Sequence, residues 1–448
     1  MPEEPQTLAP TRKQPHRSAV PDSPAPAGPA RWVGALVAVG LVLAAFNLRP
    51  AITSLGALLE EVSVSLHMSG SVAGVLTSVP PLCFAVFGIA APRLARRFGP
   101  AAVVCAGMAA IAAGLLLRSF ADSTPAFLAA SALALMGIAL SNILMPVLVK
   151  RYFPDRVGSM TGLYSMALAL GTSVAAAATV PLTGALGGGW RLGLGIWAVL
   201  AALAVLPWIP LIRGRAAGTG GAGQGAGGLG GYSGVGTGSG SGSSTGRAAA
   251  VGIPATPRVA RSRTAWALAA FFGLQATGAY ITMGWMPQIF RDAGVPASTA
   301  GVLLAVTMVM GVPLAFVIPR LASRLRHQGP IVVGLGLCGL AGYTGLYLAP
   351  AGGAWLWAVL LGVSNCSFPL ALTMIGMRSR TGAGVVKLSA FAQSVGYLIS
   401  IPGPLVVGVL YQHSGGWGLP VALMGGLMVP QMIVGVLAGR DRIVEDEC

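Results

Sequence analysis

The chain has 448 residues, of which 54 % are hydrophobic and only 9 % are charged. A soluble globular chain carries about 25 % charged residues because its surface must be solvated, so a soluble cytosolic enzyme is excluded. The net charge of +16 comes from 28 Lys and Arg against 12 Asp and Glu. On so apolar a chain (mean hydropathy +0.76) that surplus reads as loop charge of a polytopic membrane protein, not as a nucleic-acid footprint.

Residues 1–30 are rich in Pro, Ala and charge and read as a disordered tail. The first apolar run, Val33–Leu59, is too long for a signal-peptide core and reads as a retained span. Further runs follow near 71–91, 101–118, 126–148, 160–181 and 192–212. Residues 213–263 are Gly- and Ser-rich and read as a flexible linker without a phosphate loop. Six more runs follow near 265–288, 298–319, 330–349, 354–377, 385–410 and 417–438, and 441–448 form a polar tail. Only helices or closed barrels satisfy a backbone in lipid, and the short alternating strands of a barrel are missing. The expected fold class is all-α, with 12 transmembrane helices in bundles 31–212 and 264–440.

Basic residues set the expected orientation. Twenty-four of the 28 fall in the tails, the linker and the loops that share their side, and only Arg118, Arg191 and Arg291 fall in loops on the other. That asymmetry puts both termini in the cytoplasm of a cell-membrane protein. The remaining one, Arg49, lies inside the first span.

The halves repeat. Ala73-Gly74-Val75-Leu76 recurs at 300–303, and Pro92-Arg93-Leu94-Ala95 recurs at 319–322. Asn142 and Asn365 each stand four residues before a proline on the fourth helix of a half. Parallel repeats of this kind build alternating-access carriers, with the site between the halves near the midplane.

This layout resembles the major facilitator superfamily. The stretch Gly88–Arg97 is similar to its signature after helix 2, with Pro92 in place of the Asp and Ala95 in place of the second Gly. Arg93, Arg96 and Arg97, with Arg320 and Arg324 in the second half, are the corresponding gating-loop residues. Asn47-Leu48-Arg49-Pro50-Ala51-Ile52-Thr53-Ser54, Ala73–Thr77, Gln275 and Trp285-Met286-Pro287 resemble the cyanate permease / nitroimidazole transporter family within it. The resemblance implies secondary transport of small anions or small polar organics, with cyanate and 2-nitroimidazole as substrates.

No acidic residue and no His lies inside an expected span; Glu60 and Glu61 come nearest, at the external end of helix 1. A buried Arg costs roughly 2.5–3.5 kcal/mol even on the lenient insertion scale. Arg49 therefore reads either as a hook for an anion, nitro or carbonyl group, or as a structural cap on a neighbouring helix's carbonyls. Helical spacing puts Phe46, Thr53 and Gly56 on its stripe. Asn47 and Thr53 beside it, Asn142, Tyr164, Gln275, Tyr280, Trp285, Asn365, Gln393 and Tyr397 are candidate substrate-binding residues; for Asn142 and Asn365 interhelical bonding is the competing role. The five cysteines show no CxxC spacing, and no metal-ligand or Ser/His/Asp pattern occurs, so neither cofactor, metal nor enzymatic activity is expected. Partners are the lipid bilayer and a small anionic or polar molecule, not nucleic acid, with the chain a monomer. Efflux of nitroimidazole-like or drug-like neutral compounds is the alternative function, and a non-transporting receptor or scaffold a distant one.

Overall fold

The structure, a computed structural model, describes residues 31–212 and 259–447. The expected N-terminal tail, most of the expected linker and Cys448 lie outside the described residues. Among those described there is no strand, and eleven helical spans are long and apolar enough to cross a membrane.

In chain order, α1 comprises Arg31–Asn47 and Pro50–Ala57, followed by the short helix Leu59–Ser65. Then come α2 (Gly70–Phe98), α3 (Pro100–Ser119), α4 (Thr124–Tyr152), α5 (Val157–Ala185) and α6 (Trp190–Val205). The second half holds α7 (Arg263–Asp292), α8 (Ala297–Val309 and Gly311–Arg324), α9 (Gly329–Leu348) and α10 (Ala354–Asn365 and Ser367–Met377). It ends with α11 (Gly382–Ser400 and Pro402–Ser414) and α12 (Gly418–Ala438). The helix outside the eleven is α7. Its 30 residues span about 45 Å, but much of its surface is covered by protein, so Gln275, Tyr280 and Gln288 replace the apolar residues that lipid would demand.

Four spans break near their middle. In α1 the break falls at Leu48–Arg49, where Pro50 starts the second segment, and in α11 it falls before Pro402. Proline lacks the N–H that would bond back and clashes with the carbonyl one turn earlier. Hydroxyls take up carbonyls at these sites: Thr53 Oγ1 donates to Arg49 O at 3.2 Å, and Ser400 Oγ to Tyr397 O at 2.9 Å. The break leaves Phe46 on the first segment, while Thr53 and Gly56 follow Arg49 in the second.

Three expectations about charged segments are corrected. The stretch 92–98, read as a loop, continues α2 as helix to Phe98 and turns only at Gly99, whose φ of 86° suits glycine; its repeat at 319–322 is likewise helical. Arg93, Arg96, Arg97, Arg320 and Arg324 are exposed on these helical ends, where cations complement the helix dipole. Arg118, read as a loop residue, is 1 % exposed; its Nη1 donates to Ala51 O at 3.0 Å and its Nη2 to Ser54 Oγ at 3.4 Å. Arg378, also read as loop charge, is buried, bonding Gln328 Oε1, Gly439 O and Ala438 O.

The C-terminal residues fold back on the end of the second bundle that carries the termini. Glu447 accepts from Ser262 Oγ at 2.6 Å and from Thr264 N and Oγ1 at 2.9 and 2.8 Å, closing the first turn of α7. Glu445 accepts from Ser379 Oγ and from the Arg380 N–H, and Asp446 pairs with Arg380 at 2.8 Å. Burial pushes the carboxyls of Glu445 and Glu447 up, but these hydrogen bonds outweigh it and hold both below the usual range.

Candidate functional site between the bundles

The two bundles meet along α1 with α7, α2 with α11 and α5 with α8. The repeated tetrapeptide explains two of these seams. Gly74 on α2 lies so close to α11 that an added Cβ would sit 2.9 Å from Leu405 O, and its repeat mate Gly301 on α8 lies closer still to α5, where a Cβ would sit 2.5 Å from Ala176 O. On α1, a Cβ at Gly56 would collide with the Met283 carbonyl of α7.

The seams are tightest on the face opposite the termini. There Arg291 pairs with Glu60 and Glu61, each at 2.9 Å, and Gln288 donates to Glu60 at 3.3 Å. Gln412 Oε1 accepts from the Ser71 N–H and hydroxyl at 2.9 and 2.8 Å across the seam, and within the second bundle Asp292 accepts from Tyr411 Oη at 2.9 Å and Trp417 Nε1 at 2.7 Å. Trp285 packs beside these residues within the second bundle, its ring centroid 5.7 Å from that of Trp417.

Beneath the seal lies a cavity of about 260 Å³, bounded by α1, α5, α7, α8, α10 and α11. Arg49, Tyr280, Asn365 and Tyr397 line it, with Ser165 and Thr172 of α5, Met283, Met308, Phe368 and Leu372. A second cavity of about 290 Å³ shares Ser165, Ala169, Gly311, Pro369 and Leu372 with it. Through Thr161, Phe316, Pro319 and Thr373 it continues toward the face that bears the termini.

The helix break delivers Arg49 to this cavity. Its guanidinium lies against Met283, with Nη1 3.9 Å from the sulfur, and interacts electrostatically with Tyr280 and Tyr397. Among the described residues, no carboxylate pairs with it. Tyr280 is 3 % exposed; its hydroxyl faces the Arg49 guanidinium but makes no hydrogen bond of ordinary length. Tyr397 is held by a stack on Phe84 at 5.0 Å and an edge contact with Phe272 at 5.2 Å.

The other candidate residues sit elsewhere. Asn47 donates to Leu43 O at 2.8 Å and to Leu200 O of α6 at 3.4 Å, and Thr53 closes the turn after Arg49. Gln275 is one link of a buried chain: Gln431 donates to Gln275 at 3.0 Å, and Gln275 to Asn365 Oδ1 at 2.8 Å. It orients Asn365 without itself lining the cavity. Gln393 donates to Ser389 Oγ at 2.7 Å, and Asn142 and Tyr164 are half-buried outside the cavity lining. Sequence reasoning missed Ser165, Thr172 and Gln431. The α5 pair was signalled by the i, i+3, i+4, i+7 stripe Ser165, Leu168, Ala169 and Thr172.

The Major Facilitator Superfamily model matches residues 35–399. The chain belongs to the Major Facilitator Superfamily. It is 34 % identical over 413 residues to the uncharacterized transporter YycB of Bacillus subtilis (strain 168), covering 90 % of this chain and 94 % of that one. The 2-nitroimidazole transporter of Escherichia coli (strain K12) is 30 % identical over 90 % of this chain and 95 % of its own. The cyanate transport protein CynX of the same organism is 28 % identical over 87 % and 94 %. Among solved structures, a bacterial homolog of the lysosomal transporter Spinster, inward-facing and occupied, superposes with a TM-score of 0.66 at 15 % identity, covering 91 % of this chain and 95 % of that one. The chain is thus a multi-pass membrane transporter of this superfamily.

Proposed function

We propose that the chain is a secondary carrier that moves a small planar or linear compound bearing a negative or nitro oxygen, by rocking residues 31–212 against 264–440. The observation that carries this reading is Arg49: a guanidinium on a cavity between the bundles, with no carboxylate among the described residues to neutralise it. Five fixed donors in a planar fork suit a carboxylate-like or nitro group, whose oxygens they can meet two at a time. The basic-residue asymmetry makes the terminal face cytoplasmic, so the present arrangement, sealed opposite the termini, is the inward-directed state of a plasma-membrane carrier. Arg118 strengthens that asymmetry, because its burial removes it from the external loops and leaves Arg191 and Arg291 there.

Anion transport of the cyanate type is the first reading. The walls favour a second. Met283, Met308, Phe368 and the ring of Tyr397 are surfaces for a flat heterocycle, and a three-atom anion would leave most of 260 Å³ to water. A nitro group on such a ring would meet Arg49 in the same way, as the relative that carries 2-nitroimidazole suggests. Counterflow into proteoliposomes loaded with unlabelled compound, with labelled cyanate in one arm and labelled 2-nitroimidazole in the other, separates the two. Exchange of either above protein-free vesicles supports transport through this site. Exchange of neither, across a panel extended to small carboxylates and nitroaromatics, refutes the substrate class.

A further inference from the structure

Behind Tyr280, on the sealed side of the cavity, lies a small separate void between α1, α2, α3, α4 and α7. Its volume is about 20 Å³, enough for a single water-sized occupant. Three of its lining residues carry a buried polar atom without a hydrogen bond of ordinary length: Arg118 Nε, Ser131 Oγ and Tyr280 Oη, the last of which faces the Arg49 guanidinium. The three side chains are 1 %, 1 % and 3 % exposed. Orphaned groups are rare in protein interiors, and three around one void indicate that something fills it.

The charge identifies what. Arg118 Nη1 and Nη2 are used by Ala51 O and Ser54 Oγ, both neutral acceptors. Among the described residues no carboxylate pairs with Arg118; Glu60 and Glu61, the acids near that end of α1, are engaged by Arg291. A fully buried cation without a counter-charge is strongly disfavoured. The Nε–H can only donate, and the two hydroxyls can donate as well.

We propose that this void is a binding site for one halide-sized monovalent anion, held by Arg118 Nε–H and the hydroxyls of Ser131 and Tyr280. It is distinct from the Arg49 cavity and touches it only through Tyr280, which lines both. A bound anion would fix α7 against α1–α4 while the opposite side of the carrier is open. The proposal does not depend on which compound the main cavity carries.

Bromide is the probe. The purified full-length chain, exchanged into gluconate, is titrated with bromide while its melting temperature is followed, and crystals soaked in bromide are searched for anomalous scattering. The expected result is a saturable rise in melting temperature and a peak in the void. Arg118→Gln should abolish both, and Ser131→Ala, which removes a single donor to a charged acceptor, should raise the bromide midpoint about tenfold. Should Arg118→Gln fail to fold, Ser131→Ala carries the test alone, since losing an unpartnered buried hydroxyl would not destabilise an empty site. Arg49→Gln, whose side chain lies outside the void's lining and reaches it only through Tyr280, should keep a saturable bromide response. A wild-type protein without a saturable response or a peak would overturn the proposal. So would a response lost in Arg49→Gln and kept in Ser131→Ala, which would place the ion in the main cavity.

Discussion

Replacing Gly74 and Gly301 by alanine should drive the carrier out of the arrangement described here. Each glycine sits on a seam where a Cβ would stand 2.9 Å from Leu405 O or 2.5 Å from Ala176 O, closer than real Cβ atoms come to backbone. Overpacking of this kind costs about 1–3 kcal/mol. The cost falls only on the state in which the bundles touch at that face, so one substitution shifts the balance toward the state open opposite the termini by roughly 5- to 150-fold. The two seams share no residue, and the double variant should add the penalties, to about 2–6 kcal/mol. Alanine is about 1 kcal/mol better than glycine inside a helix, and this gain applies to both states, so loss of fold does not mimic the shift. Spin labels at the exposed Ser65 and Ser414, one in each bundle, report the separation by double electron–electron resonance, with the native cysteines replaced. The single variants should show a longer-distance population and the double variant chiefly that population. An unchanged distance distribution in the double variant would refute the reasoning that these glycines close the seal.

The ion pairs of the same seal should matter less. Arg291 bridges Glu60 and Glu61, but the carboxylates are 44 % and 35 % exposed, and such pairs contribute about 0–1 kcal/mol; Arg291→Gln should shift the same distance distribution only a few-fold, less than either glycine variant. Gln275→Leu should lower stability by about 1–3 kcal/mol, because it leaves the buried Gln431 and the cavity-lining Asn365 without their partner; thermal unfolding in detergent checks this. Glu447 has a carboxyl held below its usual range in the folded state, so it stabilises at neutral pH and loses that contribution as pH falls through its folded value. Melting temperatures of wild type and Glu447→Gln should therefore differ at pH 7 and converge on acidification below the ordinary carboxylate range.

The helix layout was legible because lipid leaves one solution for an apolar run of about 20 residues, and the two halves announced themselves by repeated tetrapeptides. Arg49 was legible for the same reason: a charge inside an apolar run has no topological explanation. Arg118 and Arg378 were not, since both stand at the edge of a run, where sequence cannot distinguish a solvated loop charge from one that turns inward to bond carbonyls of a neighbouring helix. The roles of the repeated glycines were hidden too, because the partners Leu405 and Ala176 lie in the opposite bundle. Gln275 was found as a polar residue but assigned to the cavity; its direction depends on Gln431, which only the packing of α7 on α12 brings within reach.

The central claim is that Arg49 reads a negative or nitro oxygen on the transported compound. Counterflow of whichever labelled compound the wild-type protein exchanges, measured in parallel for Arg49→Gln and Arg49→Lys at matched incorporation, tests it most directly. A hydrogen bond to a charged group contributes about 1.5–3 kcal/mol, so Arg49→Gln should lose about 10- to 150-fold in apparent affinity. Arg49→Lys, which keeps the charge but not the planar fork, should fall between Arg49→Gln and wild type. Equal exchange by all three proteins would contradict the account.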